Sequence, residues 1–136
     1  QKTAYEISTR DWSSDVCSSD LVAKDLHELG FGLVATKGTA AAIQEAGLPV
    51  KVVNKVKDGR PHIADQVKAG EIQLVLTTVD ETRTAIADSR YIRTASLANR
   101  VTYYTTMAGS EAATEAMKHS RDLAVRSLQE LHAELP

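Results

Sequence analysis

This chain of 136 residues has few of the sequence features that mark disulfide-rich, membrane or nucleic-acid-binding proteins. A single cysteine, Cys17, excludes an internal disulfide framework and a cysteine-based metal site. No apolar run approaches the length of a membrane span, and no signal-peptide pattern is found at the start of the sequence. The formal net charge of −2 gives no reason to expect a nucleic-acid or membrane partner. We therefore expect a reducing, cytoplasmic setting.

Candidate catalytic and metal-ligating residues are equally sparse. The histidines have no Ser or Cys nucleophile at a motif spacing and form no cluster with metal-ligand spacing; they are His27, His62, His119 and His132. Asp58 and Asp65 flank His62, either as an acid–base pair with it or as a loop acid and a helix-terminus charge. We assign no catalytic residue, no metal site and no cofactor to the chain.

Short apolar runs separated by turn signals are what the chain does contain. With 43% hydrophobic residues it is long enough for one globular domain, which buries about two-thirds of its unfolded surface. Strand patterns at 31–35, 50–54, 72–76 and 101–104 alternate with helical patterns at 21–29, 38–46, from 63, at 81–99 and from 110. This alternation through short connections predicts parallel βαβ units in a doubly wound α/β sheet.

The first twenty residues differ in composition from the rest. Residues 2–9 form a candidate first strand with weak alternation. Residues 10–20 are rich in Ser and Asp, lack a helical or strand period, and contain the only tryptophan and the only cysteine. They are either a solvated loop or foreign sequence, and they resemble translated sequencing-adapter sequence. We predict an atypical, partly disordered segment over 1–20, in which residues 10–20 are poorly packed and take no part in binding, followed by a domain over 21–136.

Residues 31–43 carry the clearest functional pattern: a buried strand, a Gly-Thr turn and an alanine-rich helix. Free N–H groups and the dipole at such a helix start favour a phosphate or carboxylate. The stretch is neither a Walker loop nor the three-glycine dinucleotide fingerprint. A plain helix start, in which Thr36 or Thr39 caps the helix and Gly38 turns the chain, fits the same residues. If Gly38 has a positive φ, a β-branched replacement would strain that turn.

Polar residues follow the other predicted strands as well. In a parallel sheet the carboxyl ends of the strands meet at one edge, where the ligand crevice lies. The residues that the sequence brings to this edge are Thr36, Lys37, Gly38, Thr39, Lys55, Thr77, Thr78, Thr105 and Thr106. Hydroxyls, a glycine and an ammonium group converging on one edge favour an anion site over a plain helix start.

Ordered motifs recur along residues 21–136. They are Gly30-Phe31, Ala35-Thr36-Lys37-Gly38-Thr39-Ala40, Val53-Asn54-Lys55-Val56, Gly59-Arg60-Pro61-His62-Ile63, Asp88-Ser89-Arg90, Ile92-Arg93 and Tyr104-Thr105-Thr106. Together they closely resemble the carboxy-terminal allosteric domain of carbamoyl phosphate synthase large subunits. The resemblance implies a methylglyoxal-synthase-like fold, three-layer α/β/α with a five-stranded parallel sheet. That family also has a phosphate-holding lysine after its central first strand, where this chain has the Ser/Asp-rich segment.

The resemblance implies regulation rather than catalysis. In bacterial members this domain binds UMP as inhibitor and IMP at an overlapping site, while ornithine binds at the boundary with a synthetase domain. The phosphate-holding positions match Thr36, Lys37, Gly38, Thr39, Lys55, Thr77 and Thr78, and the ornithine contact matches Thr105. Catalysis belongs to ATP-grasp domains that are not in this sequence. The implied partners are those synthetase domains and the glutaminase small subunit, in the synthesis of carbamoyl phosphate for pyrimidines and arginine.

The alternative function is that of methylglyoxal synthase. This enzyme shares the fold and the phosphate pocket, and it eliminates phosphate from dihydroxyacetone phosphate. Its chemistry resembles a Gly-Gly-Asp turn in which the Asp is the base. Here the matching turn is Gly59-Arg60-Pro61-His62, and an arginine cannot act as a base near neutral pH. The substitution favours a regulatory domain.

Overall fold

The computed structural model describes residues 2–8, 16–78, 83–120 and 124–134. The strands are β1 (Lys2–Ser8), β2 (Phe31–Thr36), β3 (Val50–Val53), β4 (Leu74–Thr78) and β5 (Thr102–Tyr104). The helices are α1 (Val16–Glu28), α2 (Lys37–Glu45), α3 (Ile63–Lys68), α4 (Arg83–Ala98), α5 (Met107–Lys118) and α6 (Leu128–Ala133), with a 3-10 turn at Val56–Asp58. None of the described helices is long and apolar enough to cross a membrane.

The strands form one parallel sheet in the order β3-β2-β1-β4-β5. β1 lies at its centre, so the chain builds one half of the sheet outward to β3 and then crosses to build the other half with β4 and β5. Parallel neighbours need crossover connections, and helices supply them here. The predicted α/β class with a parallel sheet is confirmed.

Alternate side chains of the inner strands face opposite layers of helices. Leu33 and Ala35 of β2 belong to a core cluster shared with α1, α2 and α5, whereas Val34 belongs to a second cluster shared with α3 and α4. β4 repeats the pattern, with Val75 in the second cluster and its two neighbours in the first. Because successive side chains of a strand point to opposite faces, the sheet is covered on both sides. The result is the expected three-layer α/β/α arrangement.

The first strand is part of this sheet. Ala4 pairs with Leu33 on one side and Leu74 on the other, and its side chain is buried in the first core cluster. The candidate first strand is therefore confirmed over Lys2–Ser8, with residue 9 outside the described residues, and it occupies the central position. The alternation was weak because a central strand of a parallel sheet is covered on both faces and need not alternate.

The expectation that residues 10–20 lack regular structure is wrong from Val16 onward, where α1 begins; residues 9–15 lie outside the described residues. The buried stripe of Val22, Ala23 and Leu26 anchors this helix against the sheet. Once a helix is nucleated, each further residue adds a hydrogen bond at little cost, so the polar residues before the stripe continue the helix.

Other boundaries differ by a few residues from the predicted ones. β4 begins at Leu74, although Ile72 is buried in the second core cluster and was assigned to the strand. α5 begins before Ser110, because the Thr106 hydroxyl caps it by accepting a hydrogen bond from the Gly109 N–H at 3.0 Å. The last helical segment is the short α6, and Leu123 lies outside the described residues.

Candidate anion-binding site

Two threonines lie at the same level of the sheet, at the carboxyl ends of β2 and β4. Glu6 of β1 pairs with both Ala35 and Leu76, so Thr36 and Thr77 each lie one residue beyond that level, on either side of β1. Neighbouring strands are about 4.8 Å apart, which places the two threonine backbones about 10 Å from each other. The central strand separates them.

The outer strands bring a further hydroxyl and an ammonium group to the same edge. Leu76 pairs with Tyr104, the last residue of β5, and Thr105 follows directly. β3 ends opposite Thr36, and Lys55 lies just beyond its last residue. The sheet therefore brings together residues from four strand ends, as the sequence predicted.

Helix α2 begins at this edge without a side-chain cap. Thr36 occupies its N-cap position with φ −70° and ψ 160°, and the hydroxyl makes no capping hydrogen bond. The first N–H groups of a helix have no acceptor within the helix. These groups and the helix dipole favour an anion at this point. The plain helix start, with Thr36 as the cap, is therefore not what the structure has.

Gly38 lies within the first turn of α2 and not in a turn that precedes it. Its φ is not positive, unlike that of four other described glycines, so the expected backbone strain at this position is absent. A Cβ built on Gly38 meets no atom within 4 Å. The fold therefore does not require glycine at this position. An anion that approaches the α2 amides, in contrast, would need the space that a side chain at position 38 would fill.

Three of the hydroxyl-bearing residues at this edge are buried. Thr36 and Thr39 are each 1% exposed and Thr77 is 2% exposed, whereas Lys37 and Gly38 are exposed. Buried hydroxyls are almost always hydrogen-bonded, so they can form a polar floor beneath the exposed start of α2.

The two threonines at the end of β4 face different sides of the sheet. Strand alternation puts Thr36 on the same face as Val34, and Thr77 on the same face as Val75, which is the face that α3 and α4 cover. Thr78, the next residue, lies on the opposite face by the same alternation and is half-buried. The structure thus groups Thr77, but not Thr78, with Thr36.

Lys37 and Lys55 take part in none of the ion pairs found among the described residues. Lys55 is half-buried and precedes the 3-10 turn, whose carboxylate at Asp58 accepts its backbone N–H at 3.3 Å. Arg60 and Lys118, in contrast, each have a carboxylate partner at 2.6 Å. Neither lysine is thus held by a carboxylate of the described residues.

Asp65 forms a structural ion pair and a helix cap. Its carboxylate accepts hydrogen bonds from Arg60 Nη2 at 2.6 Å and from the His62 N–H at 3.1 Å. The Arg60 hydrogen bond, followed by that of the His62 N–H, lowers the pKa of Asp65 from 3.8 to about 2. Such a carboxylate is a weak base. Of the two interpretations of Asp58 and Asp65, the structure supports the loop acid and the helix-terminus charge.

His62 is a buried residue whose environment the sequence did not reveal. It is 7% exposed, its ring meets Tyr91 edge-on with centroids 6.1 Å apart, and Nδ1 has no hydrogen-bond partner among the described residues. The nearest carboxylate oxygen, on Asp65, is 3.4 Å from Nδ1. Ser89 Oγ and Arg93 Nε on α4 are likewise buried without a hydrogen-bond partner in the part of the chain that the structure describes. Both residues belong to the motifs Asp88-Ser89-Arg90 and Ile92-Arg93, which carried the family resemblance but indicated no burial.

The described residues include no group of three or more His, Cys, Asp or Glu side chains that could hold a metal ion. His119 bonds Glu115 on α5 at 3.1 Å, far along the chain from His62. The arrangement at the carboxyl edge, with helix amides, buried hydroxyls and free ammonium groups, is suited to binding a small anion. The chain is therefore an α/β domain with a candidate anion site at the carboxyl ends of its strands.

Comparison with known proteins identifies the family. A family model described as "MGS-like domain" matches residues 21–105. The chain is 68% identical over 114 residues, 84% of its length, to "Carbamoyl phosphate synthase large chain" of Ralstonia nicotianae. It is 49% identical over 83% of its length to the protein of the same name from Neisseria meningitidis serogroup A. The chain belongs to the MGS-like domain family, and the resemblance stated from its motifs is confirmed.

The alignments cover most of this chain but only a small part of each relative. The chain spans about a tenth of the length of these relatives, 10% and 11% respectively. The large chain of Pseudomonas syringae pv. tomato is 47% identical over 133 residues, 98% of this chain and 12% of the relative. That alignment takes in most of the first twenty residues, and β1 brings Lys2–Ser8 into the sheet. The division of the chain at residue 20 stays a prediction.

Proposed function

We propose that this chain is the nucleotide-binding regulatory domain of a carbamoyl phosphate synthase large chain. UMP and IMP are the proposed effectors, bound through phosphate at the start of α2. The observation that carries the proposal is the uncapped helix start beside the buried Thr36, Thr39 and Thr77, with Gly38 open to solvent. The relatives named above supply the protein context.

The geometry suggests how the phosphate would be held. The backbone N–H groups of the first turn of α2, from Lys37 to Ala40, would bind its oxygens, with the Thr36 and Thr39 hydroxyls beneath. The Lys55 ammonium group would complete the shell from the end of β3. Thr77, about 10 Å across the sheet, is on the same face as Thr36 and would meet the nucleoside rather than the phosphate.

The proposed wider context follows the relatives. Thr105, beside the end of β4, is exposed and is the proposed contact with ornithine. The remaining domains of the large chain and a glutaminase small subunit are the proposed partners, in the cytoplasm, and the domain needs no cofactor. Allosteric regulation is a coupling free energy between two sites. This domain alone is therefore expected to bind an effector without any activity to regulate.

Calorimetry with UMP on the wild type and on Lys55→Ala tests the proposal. A charge-assisted hydrogen bond contributes about 1.5–3 kcal/mol, so the variant should bind about tenfold more weakly or worse. Raised salt should weaken binding to the wild type more than binding to Lys55→Ala. Lys51→Ala, which removes an exposed lysine of β3, is the matched control and should bind like the wild type. Equal affinities for the wild type and Lys55→Ala would contradict the proposed phosphate site.

A further inference from the structure

The loop that carries Lys55 is closed at its base by one asparagine. Asn54 follows β3 and forms an isolated parallel bridge to the far end of the loop. Its carbonyl accepts the Ile63 N–H at 3.2 Å, and its side-chain Nδ2 donates to the Pro61 carbonyl at 3.2 Å. Asn54 thus joins the two ends of residues 55–61 through both its backbone and its side chain.

Contacts within the loop fix the backbone of Lys55. Asp58 accepts the Lys55 N–H through its carboxylate at 3.3 Å and donates its own N–H to the Lys55 carbonyl at 3.0 Å. Val56, the next residue, packs against the second core cluster. Gly59, with φ 92°, makes the reversal that follows, a conformation that glycine adopts without strain.

Asp65 holds the far end of the same loop. Its carboxylate bonds the Arg60 guanidinium through Nη2 at 2.6 Å and Nε at 3.1 Å, and also the His62 N–H. Both Arg60 and Asp65 are thereby occupied with each other rather than with a ligand. The carboxylate is part of α3, whose Ile63, Ala64 and Val67 are fully buried, so the loop is attached to a rigid helix.

We propose that Asn54 and Asp65 are positioning residues for the effector anion, because they hold the loop that presents Lys55. The inference rests on the proposed function, since it assumes that Lys55 binds phosphate. A lysine on an ordered loop loses less conformational entropy on binding than one on a mobile loop. The two residues therefore strengthen effector binding without touching the effector.

For Asp65→Asn, electrostatics alone predicts a change in effector affinity opposite to that predicted by loss of positioning. This variant therefore distinguishes the two explanations. Asp65→Asn removes a negative charge near the site and releases the Arg60 guanidinium, so charge alone predicts tighter binding of a phosphate dianion. Loss of positioning predicts weaker binding. Asn54→Ala leaves the charge unchanged and removes the hydrogen bond to Pro61, so it tests positioning alone.

The experiment measures UMP affinity by calorimetry on the 136-residue chain and on Asp65→Asn, Asn54→Ala, Lys55→Ala and the two double variants that contain Lys55→Ala. Each positioning variant should bind UMP about threefold to tenfold more weakly than the wild type. In the Lys55→Ala background neither should weaken binding further. The matched control is Asp25→Asn, which breaks an ion pair with Lys118 between α1 and α5 and should leave affinity unchanged.

The outcomes separate the two proposals. Unchanged or tighter binding by both Asp65→Asn and Asn54→Ala overturns the positioning inference, and so do losses that add in full to that of Lys55→Ala. If Lys55→Ala itself binds like the wild type, the phosphate site is wrong and the positioning inference falls with it. Thermal unfolding tests whether each variant is folded. If one of the two positioning variants, Asp65→Asn or Asn54→Ala, does not fold, the affinity of the other decides the outcome.

Discussion

Replacing Gly38 by alanine should move stability and effector binding in opposite directions. Gly38 lies in the first turn of α2 with a φ that alanine also adopts, and an added Cβ meets no atom within 4 Å. Alanine is a better helix former than glycine and leaves the unfolded chain less freedom. The free energy of unfolding should therefore rise by about 0.5–1 kcal/mol. For a domain of this size that raises the melting temperature by about 2–6 °C.

Effector binding should fall in the same variant. The methyl group would occupy space beside the first turn of α2, where the phosphate is proposed to lie. Loss of even one charge-assisted hydrogen bond, about 1.5–3 kcal/mol, corresponds to a loss of affinity of about tenfold or more. Gly38→Val should bind still more weakly because its side chain is larger, and not because of backbone strain, which the structure excludes at this position.

The assay pairs thermal unfolding without ligand with calorimetry in the presence of UMP. Gly70→Ala is the matched control, because Gly70 has φ +76° and follows α3 at the opposite edge of the sheet. Alanine there should lower stability by about 1 kcal/mol and leave UMP affinity unchanged. A Gly38→Ala protein that gains stability and still binds UMP like the wild type would refute the placement of the phosphate at the start of α2.

Two further predictions concern Asp65. We expect no release of phosphate from dihydroxyacetone phosphate, because a carboxylate with a pKa of about 2 that is bonded to Arg60 is a poor base; turnover that scales with protein and disappears in Asp65→Asn would revive the synthase alternative. The pKa of Asp65 is about 2 in the folded protein, lowered from 3.8. Asp65 therefore stabilises the fold at a pH where its carboxylate is ionised in both the folded and the unfolded chain. This contribution is lost as the pH falls from about 4 towards 2. The difference in unfolding free energy between the wild type and Asp65→Asn, followed by denaturant titration, should be constant above that range and shrink within it; a difference that persists unchanged at pH 2 would contradict the ion pair.

Local patterns predicted most of the architecture. The apolar runs at β2 and β3 and the stripe of α1 were identified correctly, because burial on a strand or a helix face imposes a period that is visible in neighbouring residues. The order of strands and helices then led to the parallel sheet and to its carboxyl edge. The sequence therefore predicted that Thr36, Thr77, Lys55 and Thr105 lie at the same edge of the sheet.

The boundaries and the exact start of α2 were less predictable. Gly38 looked like a turn residue, since glycine before an alanine-rich run is a common turn signal. The helix instead begins at Lys37, directly after the last strand pair of Thr36 with Val53. Ile72 looked like strand because it is apolar, but it is buried outside β4. Intrinsic propensity indicates which residues favour a helix or a strand, but tertiary packing determines the residue at which the helix or strand begins.

The sequence by itself determined that the chain is an α/β domain whose hydroxyls, glycine and ammonium group converge on one edge, because these features depend on the order of residues along the chain. Only the tertiary structure decided which residues of β1 pair with β2 and β4, that Thr77 rather than Thr78 shares a face with Thr36, and that Asp65 binds Arg60. Each of these depends on which distant residues become neighbours. Packing of the whole fold determines which strands pair and which loop residues contact a helix. The hydrophobic periodicity of neighbouring residues does not reveal these long-range contacts.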